Sequence, residues 1–366
     1  MKKMLNMLAL CPLLLMLSCE KEEVKPEPEE NNIPPSCTVV EVSGTINEPT
    51  VWKAGQVYVI SGKDVRVTSV LTIEPGVIVK LQDASLDVVG GKIIARGTAQ
   101  RHIVFTSLAD DSYCGDSNGD GMTTGPAKGD WEQIMLNGTT ETIFEYADFF
   151  YAGKNRGGSN NAVEIAGSNS VSFTFDHCRI AHTLGGSSSA SHAFHGSTAM
   201  TNPKVSKFTN NALYDNDRPI YFNSFYTLDP SNVFHNPEDP AQQNSRNGIY
   251  LYGSILDGIV GWKHTEVPYV LDQSYSIVNS SVISIGADVV VKFMRHGTRL
   301  QRQTVNNIII DPTAILTSYK DDAHGGDTNG DGASTMPAVG DWDGIYNNFN
   351  GSQHWDTNPN ILYATY

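Results

Sequence analysis

The chain has 366 residues and carries 25 basic against 40 acidic side chains, a net charge of −15. So acidic a surface argues against nucleic acid as a partner, and it disfavours direct capture of anionic polysaccharide unless a cation bridges the two. Only 18% of residues are charged while Gly, Asn, Ser and Thr abound, a β-rich, turn-rich composition rather than a disordered one.

Met1, Lys2 and Lys3 make a short basic start, followed by an apolar stretch of 15 residues, 4–18. That is too short to span a bilayer and suits the core of a signal peptide. It ends in Leu15, Met16, Leu17, Ser18 and Cys19, which resembles a bacterial lipobox, with Met16 where the pattern usually has Leu. The resemblance implies that residues 1–18 are a lipoprotein signal peptide and that Cys19 carries a lipid anchoring the chain to a membrane. The plainer alternative is a secretory signal with a chance cysteine. The acidic run Glu20, Lys21, Glu22 and Glu23 resembles the surface-export tag of Bacteroidetes lipoproteins, which implies an outer-membrane protein exposed at the cell surface. Residues 19–37, with "VKPEPEENNIPPS", hold too much Pro and Glu to form a core and read as an extended tether.

The remainder, 38–366, shows no convincing helical periodicity. "LTIEPGVIVKL" (71–81) and "HIVFTS" (102–107) are strand-like and bounded by Gly and Pro. The motifs "FEYADF", "FDHCRI" and "FTNNAL" begin at Phe144, Phe175 and Phe208, spacings of 31 and 33 residues, and each reads as a short strand. Short strands, polar corners and a period of this size fit a solenoid of parallel strands. A longer repeat lies over the short one. Residues 106–134 and 317–345 align without a gap and are identical at 17 of 29 positions. Upstream, Trp52, Tyr58 and the run Val79, Lys80, Leu81 match Trp262, Tyr269 and Val291, Lys292, Phe293. The chain therefore holds a unit of about 50–260 and a partial second unit of about 261–366. Residues 361–366 align with 144–149, where the first unit continues for three more turns. Either another chain covers that last coil or the sequence is an incomplete gene product.

"LTIEPGVIVKL", "ARGTAQRHIVFTS" and the "GDxNGDG…GDW" cassette together resemble right-handed parallel β-helix surface lipoproteins of Bacteroidetes. The resemblance implies an all-β fold of triangular coils whose inward residues stack in ladders, with two long Asp/Gly/Asn-rich loops. It implies no single chemistry, since such folds host lyases, hydrolases, adhesins and stalks. A pair of β-sandwiches is the competing fold, and the 31-to-33 spacing argues against it.

"GDSNGDG" (115–121) and "GDTNGDG" (326–332) carry the clearest chemistry. Asp116, Asn118 and Asp120, like Asp327, Asn329 and Asp331, offer side-chain oxygens at positions 1, 3 and 5 before a glycine, as in the first half of a Ca²⁺ loop. The bidentate acid expected at position 12 is replaced by Ala127 or Ala338. Asp130 and Asp341 in the following "GDW", or the pairs Asp110–Asp111 and Asp321–Asp322, are the candidates to supply that charge. Oxygen-only ligation suits a structural Ca²⁺; an ion-free Asx turn is the alternative. Trp131 and Trp342 read as packing, with sugar stacking the less ordinary role. His192 and His195 have HxxH spacing but sit in a Ser/Gly-rich stretch that reads as a solvated loop. Asp215, Asp217 and Arg218 are weak candidates for the acid, base and clamp of a polysaccharide lyase or glycoside hydrolase. Cys37, Cys114 and Cys178 leave both one disulfide and free thiols open. The overall expectation is a calcium-stabilised, non-catalytic surface protein for adhesion, glycan contact or scaffolding, with polysaccharide or a surface protein as partner.

Overall fold

The computed structural model describes residues 37–121, 123–139, 141–166, 171–196, 205–224, 226–253, 258–278, 280–349 and 352–366. The expected signal peptide, the Cys19 lipid site and the tether up to residue 36 lie outside the described residues. Every regular element among the described residues is a strand. Apart from two antiparallel pairs, His235–Asn236 with Asp239–Gln243 and Gly344–Phe349 with Ser352–Trp355, the strands form parallel sheets in which each neighbour lies one circuit of chain further on. The first sheet has seven strands, from Thr38–Glu41 to Ala212–Tyr214. The second has eleven, from Gly44–Ile46 to Ile315–Ser318, and the third six, from Thr50–Trp52 to Lys207–Thr209. This is a parallel β-helix, and the paired sandwiches do not occur.

Alternation places every second side chain inside the coil, so Leu71, Ile73, Val79, Leu81, Leu86 and Val88 are all buried. Parallel pairing in register then stacks like on like. Phe144, Phe175 and Phe208 pair directly, with ring centroids 5.0 and 6.0 Å apart. Each fully buried ring contributes about 1.5–3 kcal/mol of transfer free energy. The spacing of 31 and 33 is thus one circuit of the solenoid.

The "FEYADF" motif is not one strand but a corner. Tyr146 (φ 48°) separates Thr142–Glu145 from Ala147–Phe150, and His177 and Asn210 (both φ 55°) repeat it one and two circuits on. Left-handed backbone is uncommon for residues other than Gly, and here two devices hold it. Outside, Tyr146 stacks on His177 with centroids 4.6 Å apart. Inside, an amide ladder satisfies backbone groups that leave the sheets at the bend. Asn211 Nδ2 donates to Phe175 O and to Asn232 Oδ1, both at 3.0 Å, and Asn211 Oδ1 accepts from Cys178 N at 2.9 Å. A second corner, at Tyr151, His182 and Asp215, carries the equivalent Asn216–Asn244 ladder.

The duplication is visible in geometry. Tyr58 stacks on Trp52 (4.7 Å) and its hydroxyl accepts from Lys53 N; Tyr269 stacks on Trp262 (5.4 Å) and accepts from Lys263 N. The two units nevertheless occupy different faces. Gln56–Ser61, Ile78–Gln82 and Ile103–Ser107 lie in the first sheet, whereas their counterparts Tyr269–Leu271, Val290–Phe293 and Ile315–Ser318 extend the second. The register expected for the last residues is corrected: Gly340 N bonds Tyr363 O as Gly129 N bonds Tyr151 O, both at 3.1 Å, and Tyr363 (φ 59°) shares the left-handed backbone of Tyr151 (φ 65°). Residues 361–363 therefore correspond to 149–151. The apolar-polar pattern fits both alignments, and the backbone bend distinguishes them.

Of the three cysteines, Cys37 and Cys114 form a disulfide across 77 residues, with Cα atoms 5.3 Å apart, so Cys37 belongs to the folded body rather than to the end of the tether. Cys178 is buried and free, and burial pushes its thiol well above the usual range.

Candidate functional site

Each acidic cassette leaves the end of a strand and folds back over the outer surface of that strand's sheet, and the residues identical in both copies make the same bonds. Thr106 Oγ1 donates to Asp110 Oδ2 and Thr317 Oγ1 to Asp321 Oδ2, each at 2.6 Å. Ser107 Oγ donates to Asp130 Oδ2 and Ser318 Oγ to Asp341 Oδ2, again at 2.6 Å. The same two carboxylates accept from Ala127 N (2.8 Å) and Ala338 N (3.0 Å). Asp130 and Asp341 thus close the loop bases. Trp131 and Trp342 are fully buried and donate Nε1–H to Phe150 O (2.7 Å) and Leu362 O (2.8 Å), so they pack and do not present a sugar platform.

At the loop tips the alternating acids build nested turns. Asp116 accepts from Gly119 N (2.6 Å) and Gly121 N (2.8 Å), and Asp327 from Gly330 N (2.7 Å) and Gly332 N (2.8 Å). Asn118 Nδ2 donates to Asp120 (3.1 Å) and Asn329 Nδ2 to Asp331 (3.0 Å). The glycines hold φ near +70°, which a side chain would strain. In the second cassette, carboxylate oxygens of Asp322, Asp327 and Asp331 lie within 4.8 Å of one another. Burial first, then the Asp327 charge, raise the Asp322 carboxyl above its ordinary range, and its Oδ1 is buried without a partner. Asp111 Oδ1, the equivalent atom in the first cassette, is orphaned in the same way. An all-oxygen donor set with an unsatisfied carboxylate fits a hard divalent cation.

Sequence reasoning missed the groups beneath these loops. Lys80 and Lys292 are fully buried under them, donating Nζ–H to Gly115 O (2.7 Å) and Gly326 O (2.6 Å); Lys292 also donates to Thr328 Oγ1 (2.9 Å). Burial pulls Lys292 down to about 8, against the opposing charges of Asp321, Asp322 and Asp327. The available signal was the matched Val-Lys-Leu and Val-Lys-Phe, a lysine kept at the same strand position in both units.

The candidate catalytic residues do not form one constellation. Asp215 occupies a left-handed corner and is held by Lys128 Nζ (2.8 Å) and His182 Nδ1 (2.6 Å). Asp217 is gripped at both oxygens by Arg246, with Nε to Oδ1 at 2.6 Å. Asp176 and Arg179 from the preceding circuit do not join them there: Asp176 accepts from Thr209 and Asn210, both at 2.8 Å, and Arg179 is paired with Asp148 at 2.8 and 2.6 Å. Only Arg218 faces an open recess.

That recess is a groove of about 270 Å³ on the outer face of the second sheet. Tyr221 and Tyr250 lie along it, with Arg218, Asp272 and Arg295 at its edges. His192 corrects the expectation of a solvated loop: it is 2% exposed and stacks on Tyr221 with centroids 4.6 Å apart and planes at 8°. His195 is also buried, and burial lowers it to about 4. The Ser/Gly-rich segment lies over an aromatic face, which shields both rings. Arg218 Nη1 donates to Ser188 O (3.0 Å) and its guanidinium sits 5.7 Å from the Tyr250 ring centroid. Tyr250 and Tyr319 share a hydroxyl hydrogen bond of 2.9 Å, and Tyr319 Oη donates to Thr328 O at 2.9 Å, so the second cassette is tied to the groove. Comparisons with family models, with curated proteins and with solved structures find no match.

Proposed function

We propose that this protein is a lipid-anchored β-helix at the outer surface of the cell that makes non-catalytic contact with glycan, its acidic cassettes pinned by Ca²⁺. The observation that carries this reading is the contrast between the groove and the corners. Each candidate catalytic carboxylate has its own cation or donors, while the groove offers aromatic rings and polar edges without a facing pair of carboxylates. A disulfide in the folded body supports passage through an oxidising compartment. The Asp322, Asp327 and Asp331 trio supports a hard cation. Ca²⁺ there would hold a long loop excursion whose ordering is entropically unfavourable.

The test is to incubate the protein with neutral and acidic polysaccharides, in Ca²⁺ or EDTA, and to follow both retention and polymer length. Retention without shortening is the expected result. Shortened polymer would establish instead a lyase or hydrolase, and would direct attention to Asp215 and Asp217. Retention that disappears in EDTA would tie the second cassette to binding, as the Tyr250–Tyr319–Thr328 chain suggests.

A further inference from the structure

The groove contains polar groups that the fold itself leaves unsatisfied. Arg218 is 8% exposed and its Nε has no hydrogen-bond partner. Asp272 lies against the Tyr221 hydroxyl, and its Oδ1 is buried without a partner. Both ring nitrogens of His192 lack a well-formed hydrogen bond. Buried polar atoms are satisfied in the great majority of cases, and three such residues around one recess mark a place built to receive donors and acceptors. Apolar surface from Met294, Leu251 and Val270 lies beside them. A polar rim beside an apolar floor matches a sugar ring, which has hydroxyls at its edge and C–H groups on its face.

The charges narrow the choice. Burial and the Arg218 charge keep His192 neutral, so Arg218 and Arg295 face Asp272 alone, and the groove is locally positive on a chain of net charge −15. Guanidinium groups match planar carboxylates in geometry as well as charge. The volume lies below the roughly 300–1,000 Å³ of pockets for larger ligands, which limits occupancy to a short unit.

Resting on the glycan-contact reading, we infer that this groove binds a carboxylate-bearing sugar, a single uronic acid unit within or at the end of a chain, through Arg218 and Arg295. The overall acidity of the chain then selects against long polyanions while the groove accepts one charged residue. The experiment is calorimetric titration of the full-length protein with trigalacturonic acid, its methyl ester, a hyaluronan tetrasaccharide and neutral galactotriose. The expected result is binding of at least one acid, with its uncharged analogue at least tenfold weaker. Arg295→Ala, on an exposed side chain, weakens acid binding about tenfold and leaves the melting temperature unchanged. Arg218→Lys keeps charge but loses the planar fork, and weakens it further. Equal affinity for acid and ester, unchanged by Arg295→Ala, would overturn this inference while leaving glycan contact standing. No binding of any of the four sugars would overturn both.

Discussion

The two cassettes are one hydrogen-bond skeleton placed on two different faces. The first roofs an apolar patch on the outside of the first sheet, with Val57, Ile78, Val104 and Phe150 beneath it, and is clamped by the Cys37–Cys114 disulfide. The second packs Tyr319 against the cluster of Tyr221, Tyr250 and Val270 on the second sheet, carries Gly325 at the position of Cys114, and brings three carboxylates within 4.8 Å. The shared residues build the loop, and the residues that differ decide what it does. The first loop has a covalent clamp, and the second sets three carboxylates beside a groove.

The largest effect should come from the buried lysines. Lys292→Met strands Gly326 O, Thr328 and three nearby carboxylates, and should lower unfolding stability by about 3–5 kcal/mol; Lys80→Met, with its one hydrogen bond, should cost less. Denaturant melts of the two variants check the order, and equal losses would break the comparison. Next, reducing the disulfide should cost about 2–4 kcal/mol and admit protease at the first cassette, while cleavage at the second stays unchanged. Asp130→Ala and Asp341→Ala should each cost about 1–3 kcal/mol, because each leaves a serine hydroxyl and a backbone N–H without their acceptor.

A finer distinction concerns the ion. Asp322 Oδ1 has no protein partner, so Asp322→Asn should leave the EDTA melting temperature unchanged and remove the second cassette's share of the rise on adding Ca²⁺. At 100 times Kd that rise corresponds to about 2.7 kcal/mol. An undiminished rise would place the ion elsewhere. The last effect, absent at neutral pH, is acid sensitivity of the groove face. Burial holds His195 near 4, below its unfolded value, so the unfolded chain binds the extra proton first and stability falls as pH drops from 6.5 toward 4. His195→Gln should flatten that fall by at most about 1.4 kcal/mol per pH unit, measured as the difference between variant and parent melts.

Much of the fold was legible because a solenoid is periodic. The recurrence of Phe144, Phe175 and Phe208 reports the circuit length directly, since parallel pairing in register demands like residues one turn apart. The cassettes were legible for a similar reason: identity at Thr106, Ser107, Asp110 and Asp130 with their counterparts reflects bonds made within one local segment. The corners were not. Nothing in "FEYADF" marks Tyr146 as left-handed, because what holds it is a ring one circuit away. The HxxH pair was likewise misread, since burial of His192 comes from Tyr221 of the adjacent strand and not from its own neighbours.

The sequence by itself determined the all-β solenoid, the two acidic turns and their kinship, because each depends on spacing along the chain. Only the tertiary structure decided that the second unit is displaced by one face, that lysines lie beneath the loops, that Asp215 and Asp217 serve separate ion pairs, and that Arg218 meets Asp272 and Arg295 across a groove. Those facts depend on which circuits are stacked beside one another, and stacking is set by the number of residues in every turn between them.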